Sequence, residues 1–149
     1  MADLFEVVTT AFIFRDDRVL LTRRAASKKR FPGLWTVPGG HLERADFEGL
    51  TKDGEYWYDV LETALRREVR EEVGLQIGDI RHIENLATIH PDGAVLVLSC
   101  SASWAAGEVT LDRSEADAFT WATRDEAKAY ELISGLPEEI ERAFARRER

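Results

Sequence analysis

Three glutamates stand within a five-residue window, Glu68, Glu71 and Glu72, in the run DVLETALRREVREEVGL from Asp59 to Leu75. Carboxylates three and four positions apart on a helix are neighbours, so this spacing lets all three converge on one point. The run has the apolar period of a helix that ends at Gly74. With residues set about 100° apart, Leu61, Leu65 and Val69 form one stripe with Ala64 at its edge. Glu72 falls between Leu61 and Leu65 on that wheel, and Glu68 just beside them. Carboxylates on an inward-looking stripe are costly to bury without compensation. A hard divalent cation, Mg²⁺ or Mn²⁺, compensates several anionic oxygens at once. The competing reading is a solvated face on which Arg66, Arg67 and Arg70 pair with the glutamates.

The elements that must position this helix are legible upstream and downstream. Leu4 to Phe14 and Arg18 to Arg23 read as a strand pair joined at Asp16-Asp17. Ala25 to Arg30 is a polar loop; with Arg23 and Arg24 it makes the densest basic group before the helix, suited to attract a polyphosphate or simply to face solvent. Two Pro-Gly steps bracket a short strand from Leu34 to Val37. Gly39-Gly40 allows a close backbone approach that side chains forbid, so the loop could hold a metal or phosphate with backbone groups. Arg44 to Tyr58 reads as a long loop ending in Tyr56, Trp57 and Tyr58, which could stack on a base, cover the core or join two copies in a homodimer. Beyond Gly74, Gln76 to His90 carries one or two strands. Pro91-Asp92-Gly93 is a turn. Ala94 to Trp104 opens with a continuous apolar run and should be a central strand, with Cys100 a buried thiol on it. A short strand is expected from Val109, then an acidic loop from Ser114 to Asp117. A helix over 124–133 should start at a Thr123–Glu126 capping box, and a last helix at Pro137. Strands, helix, strands, helices imply a mixed sheet with helices packed on it.

The chain has 149 residues, 44% hydrophobic and 32% charged, which fits one globular domain over 1–149 with 44–58 as an inserted loop. The formal net charge of −8 argues against general nucleic-acid binding and requires local cations for any anionic substrate. No apolar run approaches a membrane span and no signal segment is evident, so the expectation is a cytoplasmic protein without membrane contact. A single cysteine permits no internal disulfide.

Arg67 to Leu75, REVREEVGL, resembles the second half of the Nudix box. That box runs Gly, five residues, Glu, seven residues, Arg-Glu, an aliphatic, any residue, Glu-Glu, any residue, Gly, an aliphatic. Gly40 matches its opening glycine. The Gly40–Arg67 spacing is thirteen residues too long, and counting back from Arg67 puts the box's first glutamate on Asp59, with Glu55 as the alternative. The resemblance implies an α/β fold, an α/β/α sandwich with a mixed β-sheet flanked by helices. It implies a Mg²⁺-dependent hydrolase, with Mn²⁺ an acceptable substitute, that cleaves a pyrophosphate linkage in a nucleoside triphosphate or other nucleoside diphosphate derivative. The alternative is a non-catalytic nucleotide-binding regulatory module; a diphosphate isomerase branch that uses a cysteine shares the fold. By the same resemblance, metal ligands fall on Gly40 (through its carbonyl), Glu68, Glu71 and Glu72. Catalytic roles fall on Glu68, Glu71 and Glu115, with Arg67 orienting a box carboxylate and Asp117 second to Glu115. The partner is a small-molecule nucleotide, and its binding is assigned to Arg23, Lys29, Trp35, His41 and Trp57.

Overall fold

The computed structural model describes residues 2–147. Strands β1 (Phe5–Arg15) and β7 (Gly93–Ala106) lie side by side in parallel, Phe5 opposite Ala94 and Phe14 opposite Ser103. Every other pairing between these strands is antiparallel. β2 (Arg18–Arg24) joins the far end of β1, and β8 (Ala116–Thr123) and β3 (Trp35–Thr36) pair with β2. β4 (Gly39–His41) pairs with the middle of β1, while β5 (Gln76–Ile77) and β6 (Arg81–His90) pair with β7. The result is a mixed sheet of eight strands.

Helices α1 (Val60–Val73) and α2 (Leu136–Arg147) cover opposite faces. Side-chain alternation along β1 divides the core between them. Ala11 and Ile13 pack with Leu65, Val69 and Val73 of α1. Phe12 and Phe14 pack with Leu136, Ile140, Ala143 and Phe144 of α2. Each helix is amphipathic, so docking its apolar stripe on the sheet buries it and fixes which residues flank that stripe. Among the described residues no helix is long and apolar enough to cross a membrane.

Three expectations need correction. The helix over 124–133 is only a 3₁₀ turn, Glu126–Ala129, opened by the Thr123 hydroxyl accepting the Glu126 N–H at 3.2 Å. Beyond it the chain runs extended, because Trp35 takes its backbone bonds there: its N–H donates to the Glu131 carbonyl and its carbonyl accepts from Ile133. No strand forms at Val109. The N–H groups of Thr110 and Asp112 instead donate to the carbonyls of Val73 and Glu72, satisfying the open end of α1. Asp117 and Ala116 belong to β8, not to a loop.

Candidate active site

β4 and α1 build the site. In β4, Gly40 pairs with Thr9 and its Cα faces α1, so closely that a Cβ there would fall on the Glu68 carboxylate, with Oε1 at 2.6 Å. Any other residue would displace the Glu68 carboxylate from β4, which is the local reason for glycine. At the other end of the helix, Gly74 adopts φ 72° and its N–H donates to the Arg70 carbonyl. Between these limits the burial of Leu65, Val69 and Val73 sets the rotation of α1 and points Glu68 and Glu72 at β4. Glu72 is 8% exposed, and the Gly39 N–H donates to its Oε2 at 3.2 Å.

Arg67 holds the other carboxylates. Its Nε and Nη2 form a fork on Asp46, whose side chain is 1% exposed. Nη1 donates to Glu68 Oε1 at 2.6 Å and to Glu71 Oε2 at 3.0 Å, and Nη2 also donates to the His41 carbonyl at 3.0 Å. All five guanidinium N–H donors are thereby used. Arg67 has nothing left for a substrate; it positions Glu68, Glu71 and the β4 backbone.

The charges follow from this packing. Burial pushes the Glu72 carboxyl up to about 7, against the Gly39 N–H, with Glu115 and Glu68 adding repulsion. Burial also raises Glu68, opposed by Arg67. Asp46 is held below the usual carboxylate range by the Arg67 N–H groups. Arg24 is lowered by burial, while Glu72 and Glu115 stabilise its charge. Lys28 Nζ donates to Glu115 Oε2 at 2.7 Å. Among the described residues, no three acids are yet drawn together around one point. The donor set still fits a hard divalent cation: Glu68, Glu71 and Glu72 beside Gly40 offer only oxygens, and the buried Glu72 has a backbone N–H but no ion-paired cation.

Sequence reasoning missed Asp46. Counting back from Arg67 led to Asp59, which the structure instead puts at the N-cap of α1 with φ 57°, its carbonyl accepting from Thr63. Counting forward from Gly40, the acidic position of the box is the sixth residue, Asp46. The extra residues therefore lie after Asp46, and the box arginine still finds its acid. The signal was present in the forward count. Glu55 is exposed in the turn between Asp53 and Tyr56, and the Arg67 donors are all taken by other partners.

The basic residues shift by one. Arg24 and Lys28 face Glu72 and Glu115. Arg23 instead bonds Asp117 Oδ1 at 2.6 Å and lies 5.9 Å from the Trp35 ring, and Lys29 is exposed. Alternation along β2 explains the exchange of Arg23 for Arg24. Trp35 packs on Tyr130 with ring centroids 4.8 Å apart, on the α2 side. His41 faces that side too, its Nδ1 against Glu6. Trp57 is tied into the insertion, its N–H donating to the Leu50 carbonyl at 2.9 Å and its ring resting on Phe47. Tyr56 and Tyr58 are exposed and do not cover the core. Glu115 lies near enough to Glu72 to raise it, whereas Asp117 is taken by Arg23.

The NUDIX domain family matches residues 4–144. The chain belongs to the Nudix family. It is 35% identical over 119 residues to the isopentenyl-diphosphate Delta-isomerase of Mycolicibacterium vanbaalenii, covering 75% of this chain and 59% of the isomerase. To nucleoside triphosphatase NudI of Klebsiella pneumoniae it is 27% identical, over 84% of this chain and 86% of the relative. The MutT NUDIX hydrolase structure from Burkholderia pseudomallei superposes with a TM-score of 0.74 at 22% identity, over 94% of this Nudix chain and 98% of the other. The NUDIX domain of Shewanella oneidensis NrtR, solved with ADP ribose, gives 0.69 at 20%, over 98% and 89%.

Proposed function

We propose that this Nudix protein is a cytoplasmic, Mg²⁺-dependent pyrophosphohydrolase that cleaves the anhydride of a nucleoside triphosphate or another nucleoside diphosphate derivative. The observation that carries it is the arrangement around α1. Glu68, Glu71 and Glu72 are all present, Arg67 orients two of them, and the third is buried against Gly39. Glu68, Glu71, Glu72 and the Gly40 carbonyl would hold the cation. When bound, it would neutralise the pyrophosphate and lower the pKa of a coordinated water. Arg24 and Lys28, rather than Arg23 and Lys29, bind the polyphosphate. Lys28 holds Oε2 of Glu115 and leaves Oε1 to accept the proton of the attacking water. A homodimer would join through Leu50, Tyr56 and Tyr58, the exposed apolar side chains of the insertion.

The test is a panel of nucleoside triphosphates and nucleoside diphosphate derivatives with Mg²⁺, scored separately for phosphate and pyrophosphate. Turnover that vanishes in chelator is the expected result; binding of one nucleotide with no turnover would replace the enzyme by a regulatory module. The 35% identity to an isomerase motivates a second reading in which Cys100 acts. Against it, Cys100 is buried in β7 among Ala11, Ile13 and Val69, and burial pushes its thiol up. Cys100→Ser should keep hydrolytic activity, and its loss would restore the isomerase reading.

A further inference from the structure

Two buried side-chain oxygens have no hydrogen-bond partner among the described residues, Thr9 Oγ1 and Thr22 Oγ1. Both residues are 1% exposed. A hydroxyl taken out of water and left without a partner costs free energy, so each native case asks for a reason. Alternation puts both on the α1 side of the sheet, Thr9 with Ala11 and Ile13 on β1, and Thr22 with Leu20 on β2. This is the face that carries Glu68 and Glu72. Thr22 has Thr36 beside it across the β2–β3 ladder, a second hydroxyl on the same face. Thr9 has no such neighbour in the sheet.

The surroundings of Thr9 narrow the choice of partner. Its cross-strand neighbours are Gly40 on β4, which has no side chain, and Leu98 on β7. Its neighbours on the same face of β1 are Val7 and Ala11. None of these carries a polar side chain. Above the sheet, the Glu68 carboxylate rests on Gly40, where an added Cβ would lie 2.6 Å from Oε1. Side chains opposite each other in an antiparallel pair stand about 4.5–5.5 Å apart at Cβ, so the Thr9 side chain is one such step from that carboxylate. A side chain at position 40 would stand between them. Arg67 Nη1 donates to Glu68 Oε1, and among the described residues no donor reaches Oε2. A donor without an acceptor therefore neighbours an acceptor without a donor.

Resting on the divalent-cation reading of this site, we infer that Thr9 is a positioning residue for Glu68: its hydroxyl donates to Oε2 and fixes the orientation in which that carboxylate binds the cation. Arg67 steadies one oxygen and Thr9 the other. An ionised carboxylate offers about four lone-pair sites, so two hydrogen bonds leave room for a cation. With Glu68 drawn toward Arg67, the bond to Thr9 is open and its buried hydroxyl is a cost to the fold. A turn of the carboxylate toward β1 closes it. The two effects of the hydroxyl thus have opposite signs: it weakens the fold and strengthens cation binding. A threonine that served packing alone would show no such opposition.

Thr9→Val keeps the shape of the side chain and removes the hydroxyl. Calorimetric titration of the full chain with Mn²⁺ alone should show binding weakened by at least about tenfold, the lower end for groups that orient metal ligands. In chelator, the thermal midpoint of the same variant should equal or exceed that of the wild type, because an unpartnered buried hydroxyl has been removed. Thr9→Ser should bind Mn²⁺ as the wild type does. If Thr9→Val does not fold, Thr9→Ser and Thr9→Ala, which differ by the hydroxyl alone, read the same contact, and only the alanine variant should lose affinity. Equal Mn²⁺ affinity with and without the hydroxyl overturns the inference and leaves the hydrolase reading standing. A serine variant as weak as the valine one also overturns it, by tracing the effect to packing. A wild type that binds no Mn²⁺ overturns the inference and the metal-dependent reading together.

Discussion

On each face of the sheet, a carboxylate clamped by an arginine stands beside one that burial leaves short of donors. Under α1 these are Glu68, held by Arg67, and Glu72. By α2 they are Glu84, held by Arg142, and Glu139. The chemistry is the same and the surroundings differ. Arg67 is 18% exposed and the Asp46 side chain 1%, whereas Arg142 and Glu84 are 52% and 22% exposed. The α1 pair also has Glu71 and Glu115 nearby, and its arginine is fully committed. Concentrated, dry negative charge of that kind suits a divalent cation. Two acids and one half-exposed arginine beside α2 make an ion pair that solvent screens. The lesson is that burial and the number of neighbouring acids, not residue type, divide a candidate metal platform from a solvent-screened ion pair.

The largest break in this comparison comes at Glu72. Glu72→Gln should lower kcat by on the order of 10²–10³, as expected for a group that supports charge in the transition state. The same change should stabilise the metal-free fold. Glu72 goes from an ordinary 4.5 to about 7 on folding. Below pH 4.5 the acid is protonated in both states and costs nothing. From pH 4.5 to 7 only the unfolded chain releases its proton, so stability is lost as pH rises, by up to about 3 kcal/mol. Thermal unfolding in chelator should find wild type and Glu72→Gln alike near pH 4.5 and the variant more stable at pH 8, with Mg²⁺ closing the gap. A wild type that is more stable at pH 8 than Glu72→Gln in chelator would contradict the burial argument.

A smaller effect is expected at Asp46. Asp46→Asn leaves Arg67 without its buried counter-charge and should reduce turnover by about 10–100-fold, the range for residues that orient ligands. Asp46→Glu, the residue the box calls for, should recover most of it; equal loss in both variants would mean the fork geometry is wrong. The smallest effect belongs to the exposed clamp. Arg142→Ala should cost less than about 1 kcal/mol of stability, since solvent screens the pair. A loss as large as that of Arg67→Ala would erase the contrast between the two faces.

Much of the site was legible because it rests on a contiguous helix. The period of Leu61, Leu65 and Val69 places Glu68 and Glu72 on the sheet-facing side without knowledge of the fold. Gly40 was legible as a glycine that something must approach, though not that the approaching group is Glu68. Asp46 was missed because the count ran back from Arg67; the forward count from Gly40 reaches it, and the fork with Arg67 decides between the two counts. The exchange of Arg23 for Arg24 has a similar cause. One residue along a strand changes the face, and a composition argument over a basic loop has no such resolution. The missing helix after Thr123 failed for a tertiary reason, since Trp35 competes for the backbone at Glu131 and Ile133.

By itself, the sequence determined that three carboxylates share one side of a helix, that this helix ends at Gly74, and that a glycine pair precedes it. These are local facts, fixed by periodicity and by what a missing Cβ permits. Only the tertiary structure decided which acid answers Arg67, which basic residues face Glu72, and that Ser99 and Glu139 meet across forty residues of chain on the opposite face. Such contacts depend on strand register and on which of two faces a residue takes, and neither is written in the spacing of residues along the chain.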